Sequence, residues 1–195
     1  MTQTMNGLCG GRRRRGPQPF RQGDLDGLCG VYSVVNAVRV LCPELGQDGA
    51  EWLFDHLMQS LQRLGADAGV SVSAGVGQRV VASLIKEAIL QMAAEYDIDM
   101  TCRRLPKLLR RTTNLDRLWT KLAITLSPTC VAVLATSGQL SHWTVAVSAT
   151  PRLIRLYDSC TIRLLRRGDC TIGRAVNRIG ISLPHVFLIR RKVGA

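Results

Sequence analysis

Apolar positions in this chain follow two different rhythms, helical in the first half and alternating in the second. Residues 28–41 (LCGVYSVVNAVRVL) are apolar on nearly all sides and closed by Pro43, which no helix interior accepts. Fourteen residues exceed an ordinary strand, and Asp26 is placed to cap the start, so the stretch predicts a buried central helix. Residues 49–64 carry Trp52, Leu53, Leu57, Leu61 and Leu64 at helical spacing, with Asp48 as the expected cap and Gly65 as the stop. A third helix is predicted over 78–96 and a short one over 115–122. The period then falls to two: 130–135, 143–149, 153–157 and 186–190 read as strands rich in β-branched residues, with a further short one at 161–165. Helices first and strands last predict an α+β fold, a helical half packed on a C-terminal antiparallel sheet.

Composition sets the scale. The chain has 195 residues, 46% of them apolar, which suits one ordinary globular domain with a single core. Residues 1–19, rich in glycine, glutamine and proline and carrying Arg12-Arg13-Arg14-Arg15, read as a flexible basic arm, and 20–195 as the domain. No run of apolar residues is long enough to span a membrane and no signal peptide is recognisable, so the expected location is cytoplasmic, or that of a delivered effector.

The 26 basic residues against 14 acidic ones give a net charge of +12, and all but four of the basic residues are arginine. That charge admits nucleic acid or an acidic protein as partner. No aromatic residues interleave with the densest basic run, 103–111, so the stacking platform of a single-strand binder is missing and nucleic acid is the less favoured partner. The seven cysteines form no CxxC pair, which predicts neither a metal site nor a cofactor, and their odd number argues against a disulfide framework.

One cysteine stands apart. Cys29, in Asp26-Gly27-Leu28-Cys29-Gly30, falls in the first turn of the central helix, where unpaired amides and the helix dipole favour a thiolate. A cysteine so placed attacks a carbonyl when a base is near. His142 opens the alternating run Trp143-Thr144-Val145-Ala146-Val147 at the mouth of a strand, whereas His56 lies away from the leucine stripe of its helix. Asp158 ends the next strand. A tight turn around residues 149–151 makes facing residue numbers sum to about 300, which sets His142 opposite Asp158, close enough for a carboxylate to orient an imidazole. Gln22, upstream, is a side-chain amide suited to an oxyanion hole shared with the Cys29 backbone N–H. Cys160 and Cys170 are expected to be small residues flanking a strand.

The order Gln22, Cys29, His142, Asp158 resembles the papain-like cysteine peptidases. The Asp-Gly-Leu-Cys-Gly and His-Trp-Thr-Val-Ala-Val segments look most like the compact bacterial bacteriocin-processing (double-glycine) peptidases. The resemblance covers residues 22–41 and 140–158 and not the middle; Gln22 and Cys29 stand seven apart, where the papain pattern commonly has six. The segment from His142 to Ser159 is also similar to ubiquitin-like-protein proteases, but those place their cysteine after the aspartate. What the resemblance implies is a thiol hydrolase: a Cys29–His142 pair, Asp158 orienting His142, Gln22 in the oxyanion hole, and a thioester intermediate. The expected activity is proteolysis of a peptide or protein, with an acidic one suggested by the charge. The same apparatus serves a glutamine deamidase or an acyltransferase. A non-catalytic basic adaptor is the alternative from another class.

Overall fold

The computed structural model describes residues 18–21, 27–64, 76–105 and 114–192. The arginine run, Gln22, the expected cap Asp26, the stop Gly65 and most of the basic run 103–111 lie outside the described residues.

Helix α1, Cys29–Leu41, is the element around which the rest is arranged. Val31, Val34, Val35 and Ala37 are completely buried. Valine is about 0.5 kcal/mol poorer than alanine in a helix. Burying its side chain contributes roughly 1.5 kcal/mol or more, so packing outweighs propensity and the strand-like composition folds as helix. Leu28 occupies the N-cap with no side-chain capping bond, which corrects the expectation for Asp26. Cys42 donates its backbone N–H to Val38, and Pro43–Leu45 then makes one 3₁₀ turn.

That turn feeds directly into α2, Gly46–Arg63, which therefore starts three residues before the predicted boundary. Asp48 sits inside its first turn, where a negative charge complements the helix dipole, and not at the cap. Helix α3 runs Gln78–Tyr96, the span its periodicity predicts, and ends where Asp97 turns into the left-handed region at φ 53°. Helix α4, Leu115–Thr125, starts at Asn114, whose side chain accepts from the Asp116 amide.

Among the described residues, seven strands follow or intersperse these helices: β1 Met100–Arg104, β2 Cys130–Gly138, β3 His142–Ala149, β4 Leu153–Tyr157, β5 Leu164–Arg166, β6 Cys170–Ile172 and β7 Ile179–Arg191. They form one sheet in the order β1-β7-β2-β3-β4-β5, antiparallel throughout, with β6 added parallel to β7. The fold is α+β, as the two rhythms predict. Strand β7 begins well before the predicted residue 186. Its register with β2 passes from Leu134↔Val186 to Thr136↔Ile181, so residues 182–185 bulge outward. Pro184, which has no N–H to give a ladder, falls within that bulge and masks the strand in the sequence. Strand β5 begins at Leu164 and not at 161, because Thr161 holds φ 66° and breaks the extended backbone.

Strand β2 shows how the layers form. Val131, Val133 and Ala135 face one way and pack with α1, α2 and α3; Ala132 and Leu134 face the other and pack with Leu118, Trp119 and Leu122 of α4. A strand covered on both faces reads as one unbroken apolar run, which is what 130–135 is.

The N-terminal segment is tied to this frame at Phe20. The buried Asn36 side chain of α1 accepts from the Phe20 N–H at 2.6 Å and donates to its carbonyl at 3.0 Å. The Phe20 ring stacks on Tyr32 at 5.6 Å and leans on Phe54. Asn36 thus substitutes for a neighbouring strand, satisfying both backbone groups of a residue just ahead of Gln22.

Candidate active site

The N-terminus of α1 packs against β3 at the end of the sheet where β3 begins. Cys29 is the first residue of the helix and half-buried. The Tyr32 amide donates to the Leu28 carbonyl, the first bond of the helix among the described residues. The N–H groups of Cys29, Gly30 and Val31 therefore have no acceptor within the helix and leave a partial positive charge beside the thiol. Gly30 permits the close approach of the neighbouring layer: a Cβ there would stand 2.2 Å from Val76 Cγ2 and 2.8 Å from Val81 Cγ2.

His142 is the first residue of β3, and its Nε2 lies 2.9 Å from Asp158 Oδ2. The imidazole is 8% exposed and the carboxylate fully buried. With Nε2 engaged, Nδ1 is the ring nitrogen left for Cys29. Burial by itself would lower the His142 pKa, but the hydrogen bonds to Asp158 and Cys29, with the charges of both, raise it from 6.5 to about 9. Burial likewise pushes Asp158 upward, and the bond and charge of His142 outweigh it, so the carboxyl stays below its ordinary range. Backbone donors assist: Asp158 Oδ1 accepts from the amides of Cys160 at 2.8 Å and Ile162 at 3.3 Å. Thr144 Oγ1, buried beside the carboxylate, also favours its charged form, although it makes no hydrogen bond of ordinary geometry.

The register of this hairpin corrects the predicted one. Facing residues are Val145↔Tyr157 and Ala146↔Leu156, a sum of 302 and not 300. Nearer the turn Val147 is an extra residue on β3, and Ser148 faces Arg155. Continued past the end of β4, the register sets Thr144 against Asp158 and His142 against Cys160. Because the slip is two residues, the face is preserved, and His142 meets Asp158 along the diagonal, within reach of two long polar side chains. The same slip brings Cys160, expected to be a bland flanking residue, beside the imidazole. The donor atoms of His142, Asp158 and Cys160 all lie within 4.8 Å of one another, a set that could hold a metal ion. Thr161 follows with φ 66°, an unusual conformation for a β-branched residue, and shapes the loop so that both amides reach Asp158.

A cleft of about 280 Å³ opens over the site, lined by Cys29, His142, Val76, Gly77, Thr136 and Trp143. Trp143 holds its wall: the indole N–H donates to the Val76 carbonyl at 3.1 Å and the ring stacks on Phe187. Pattern reading misses Val76 and Trp143 as cleft residues, since both look like core; the glycine at 77, which leaves a backbone edge open, is the one signal available. Gln22 lies outside the described residues. His56 pairs with Glu87 on α3 at 2.9 Å, and His185 lies against Trp143 at 5.9 Å, so neither joins the cluster.

The His142–Asp158 pair makes stability depend on pH with a definite sign. A histidine whose pKa rises from 6.5 to about 9 on folding stabilises the native state fully below pH 6.5 and loses that contribution as pH climbs to 9. The size is roughly 3 kcal/mol, which corresponds to about 5–10 °C in a domain of this size. Between pH 6 and 9 the wild type is therefore expected to lose more melting temperature than Asp158→Asn, by the share of that shift that Asp158 and not Cys29 supplies. Equal losses in calorimetric scans of the two proteins would contradict the pairing.

Compared with known proteins, the sequence matches no family model and no curated protein.

Proposed function

We propose that the chain is a cysteine peptidase of papain-like architecture that hydrolyses an amide bond of a peptide or protein. The observation that carries this reading is the convergence of a helix-N-terminal thiol and a carboxylate-held imidazole in one cleft: Cys29 and His142 line it together, and Asp158 holds the imidazole at 2.9 Å. Cys29 attacks the carbonyl carbon as a thiolate. The oxyanion that develops is stabilised by the amides of the first helical turn, with Gln22 as the proposed side-chain donor. His142, protonated, passes its Nδ1 proton to the leaving amine, and a thioester remains on Cys29. Water then adds, deprotonated by the same nitrogen, and the acid is released. Asp158 keeps the ring in the Nε2–H tautomer and stabilises the imidazolium.

An acidic substrate is favoured by the charge of +12. The test is incubation with a peptide library followed by mass-spectrometric identification of the products. New chain ends in a Cys29-dependent reaction support the peptidase. Loss of side-chain amide without chain cleavage would replace it by a deamidase on the same residues.

A further inference from the structure

Cys160 has no role in the mechanism, yet the hairpin register delivers its thiol to the rear of the imidazole. Three different donors meet there: an imidazole nitrogen, a carboxylate oxygen and a sulfur, all within 4.8 Å of one another. The first two are buried and the third is exposed, so an ion reaches the site from solvent through the thiol. We propose that His142 Nε2, Asp158 Oδ2 and Cys160 Sγ form an inhibitory site for a borderline-soft divalent cation, zinc above all. The ion takes the place of the proton between His142 and Asp158.

The donor set fits that cation. Zinc prefers tetrahedral coordination by nitrogen, sulfur and carboxylate oxygen, and three protein ligands leave one position for water. Tetrahedral geometry with zinc–nitrogen and zinc–oxygen bonds near 2.05 Å separates the two donors by roughly 3.3 Å. The observed 2.9 Å must therefore open by only about 0.4 Å. A sulfur at about 2.3 Å from the ion would lie roughly 3.6 Å from the nitrogen, compatible with donor atoms that all lie within 4.8 Å of one another. Magnesium and calcium, which require oxygen ligands, are disfavoured by the thiol. The Asp158 carboxylate is pre-oriented by the amides of Cys160 and Ile162 on its other oxygen, an outer set of bonds of the kind that orients metal ligands.

Binding releases two protons, one from the Cys160 thiol and one from His142 Nε2. The ring then keeps its proton on Nδ1, because losing it would leave an imidazolate. That proton is no longer available to a leaving amine, and Asp158 no longer orients the ring. The inhibitory consequence rests on the proposed thiol chemistry; the site itself does not.

The experiment is titration of the reduced full chain with cobalt(II), reading thiolate-to-metal absorption, and with zinc by calorimetry. The wild type is expected to bind one equivalent with the thiolate band. Cys160→Ser is expected to lose the band and to bind about 100-fold more weakly or worse, and Cys29→Ser to keep both. Loss of the band in Cys29→Ser, its persistence in Cys160→Ser, or no band in the wild type would overturn the site. Peptidase rates with and without zinc, each variant against its own metal-free rate, then report inhibition. A protein that shows no Cys29-dependent hydrolysis when metal-free but gives the Cys160-dependent band once cobalt(II) is added separates failure of the peptidase reading from failure of the metal site.

Discussion

Replacing Cys29 by alanine is expected to lower amide hydrolysis by about 10⁴-fold or more while the protein stays folded. The magnitude follows from what the thiol alone supplies. Among the described residues that line the cleft, Cys29 supplies the thiol, so its removal leaves the binding and oxyanion contributions, which by themselves give a small residue of catalysis. The fold is expected to survive because Cys29 sits at the end of α1, half-buried, with its sulfur 3.9 Å from the Gly27 carbonyl. The hydrophobic contacts that fix the helix come instead from the buried valines two residues and more beyond. Hydrolysis of a fluorogenic peptide by wild type and variant, with melting curves on both, is the measurement. A variant that cuts at the wild-type rate would remove Cys29 from the mechanism.

The second large effect is expected at Asp158, where asparagine should be nearly as damaging as alanine. Both carboxylate oxygens accept: Oδ1 from the amides of Cys160 and Ile162, Oδ2 from His142. An asparagine has one acceptor and one donor to place there. With its oxygen kept on the two amides, its NH₂ points at Nε2 and forces the proton onto Nδ1, the wrong tautomer for a base toward Cys29. With the amide reversed, two buried backbone N–H groups face another donor. Either arrangement is expected to cost roughly 10³-fold in the turnover rate, read as a fall in kcat larger than any rise in KM. An Asp158→Asn protein with a rate within tenfold of wild type would show that the carboxylate does not orient His142.

Much of this arrangement is legible in residue order and periodicity. The buried helix of 28–41, the helix of 78–96 and strand 153–157 are readable because burial imposes its period on the side chains. Strands β1 and β6 are not, since Met100–Arg104 ends in two arginines and Cys170–Ile172 is too short for any period to show. The hairpin shows the limit most clearly. Parity alone decides which residues share a face, so His142 and Asp158 are correctly predicted to share one. Parity cannot fix the register, which depends on a three-residue loop, where the Leu153 amide bonds back to Thr150 Oγ1, and on the extra Val147. That two-residue difference is what makes Cys160, and not Asp158, the partner directly opposite His142. Asn36 was equally opaque: an asparagine in a valine-rich helix announces that something polar is buried there, but not that it is the backbone of Phe20.

The central claim is that His142 and Asp158 activate the Cys29 sulfur, and its most direct test is competitive alkylation. Trace iodoacetamide is added to the metal-free protein near neutral pH, and the labelled cysteines are mapped by mass spectrometry over time. Exposure alone predicts that Cys160, exposed among the described cysteines, reacts faster than half-buried Cys29 and far faster than buried Cys42 and Cys130. Activation predicts the reverse order at the top: Cys29 modified about tenfold faster than Cys160, with that advantage lost in His142→Gln. Labelling of Cys29 no faster than Cys160, or unchanged when His142 is replaced, would contradict the account.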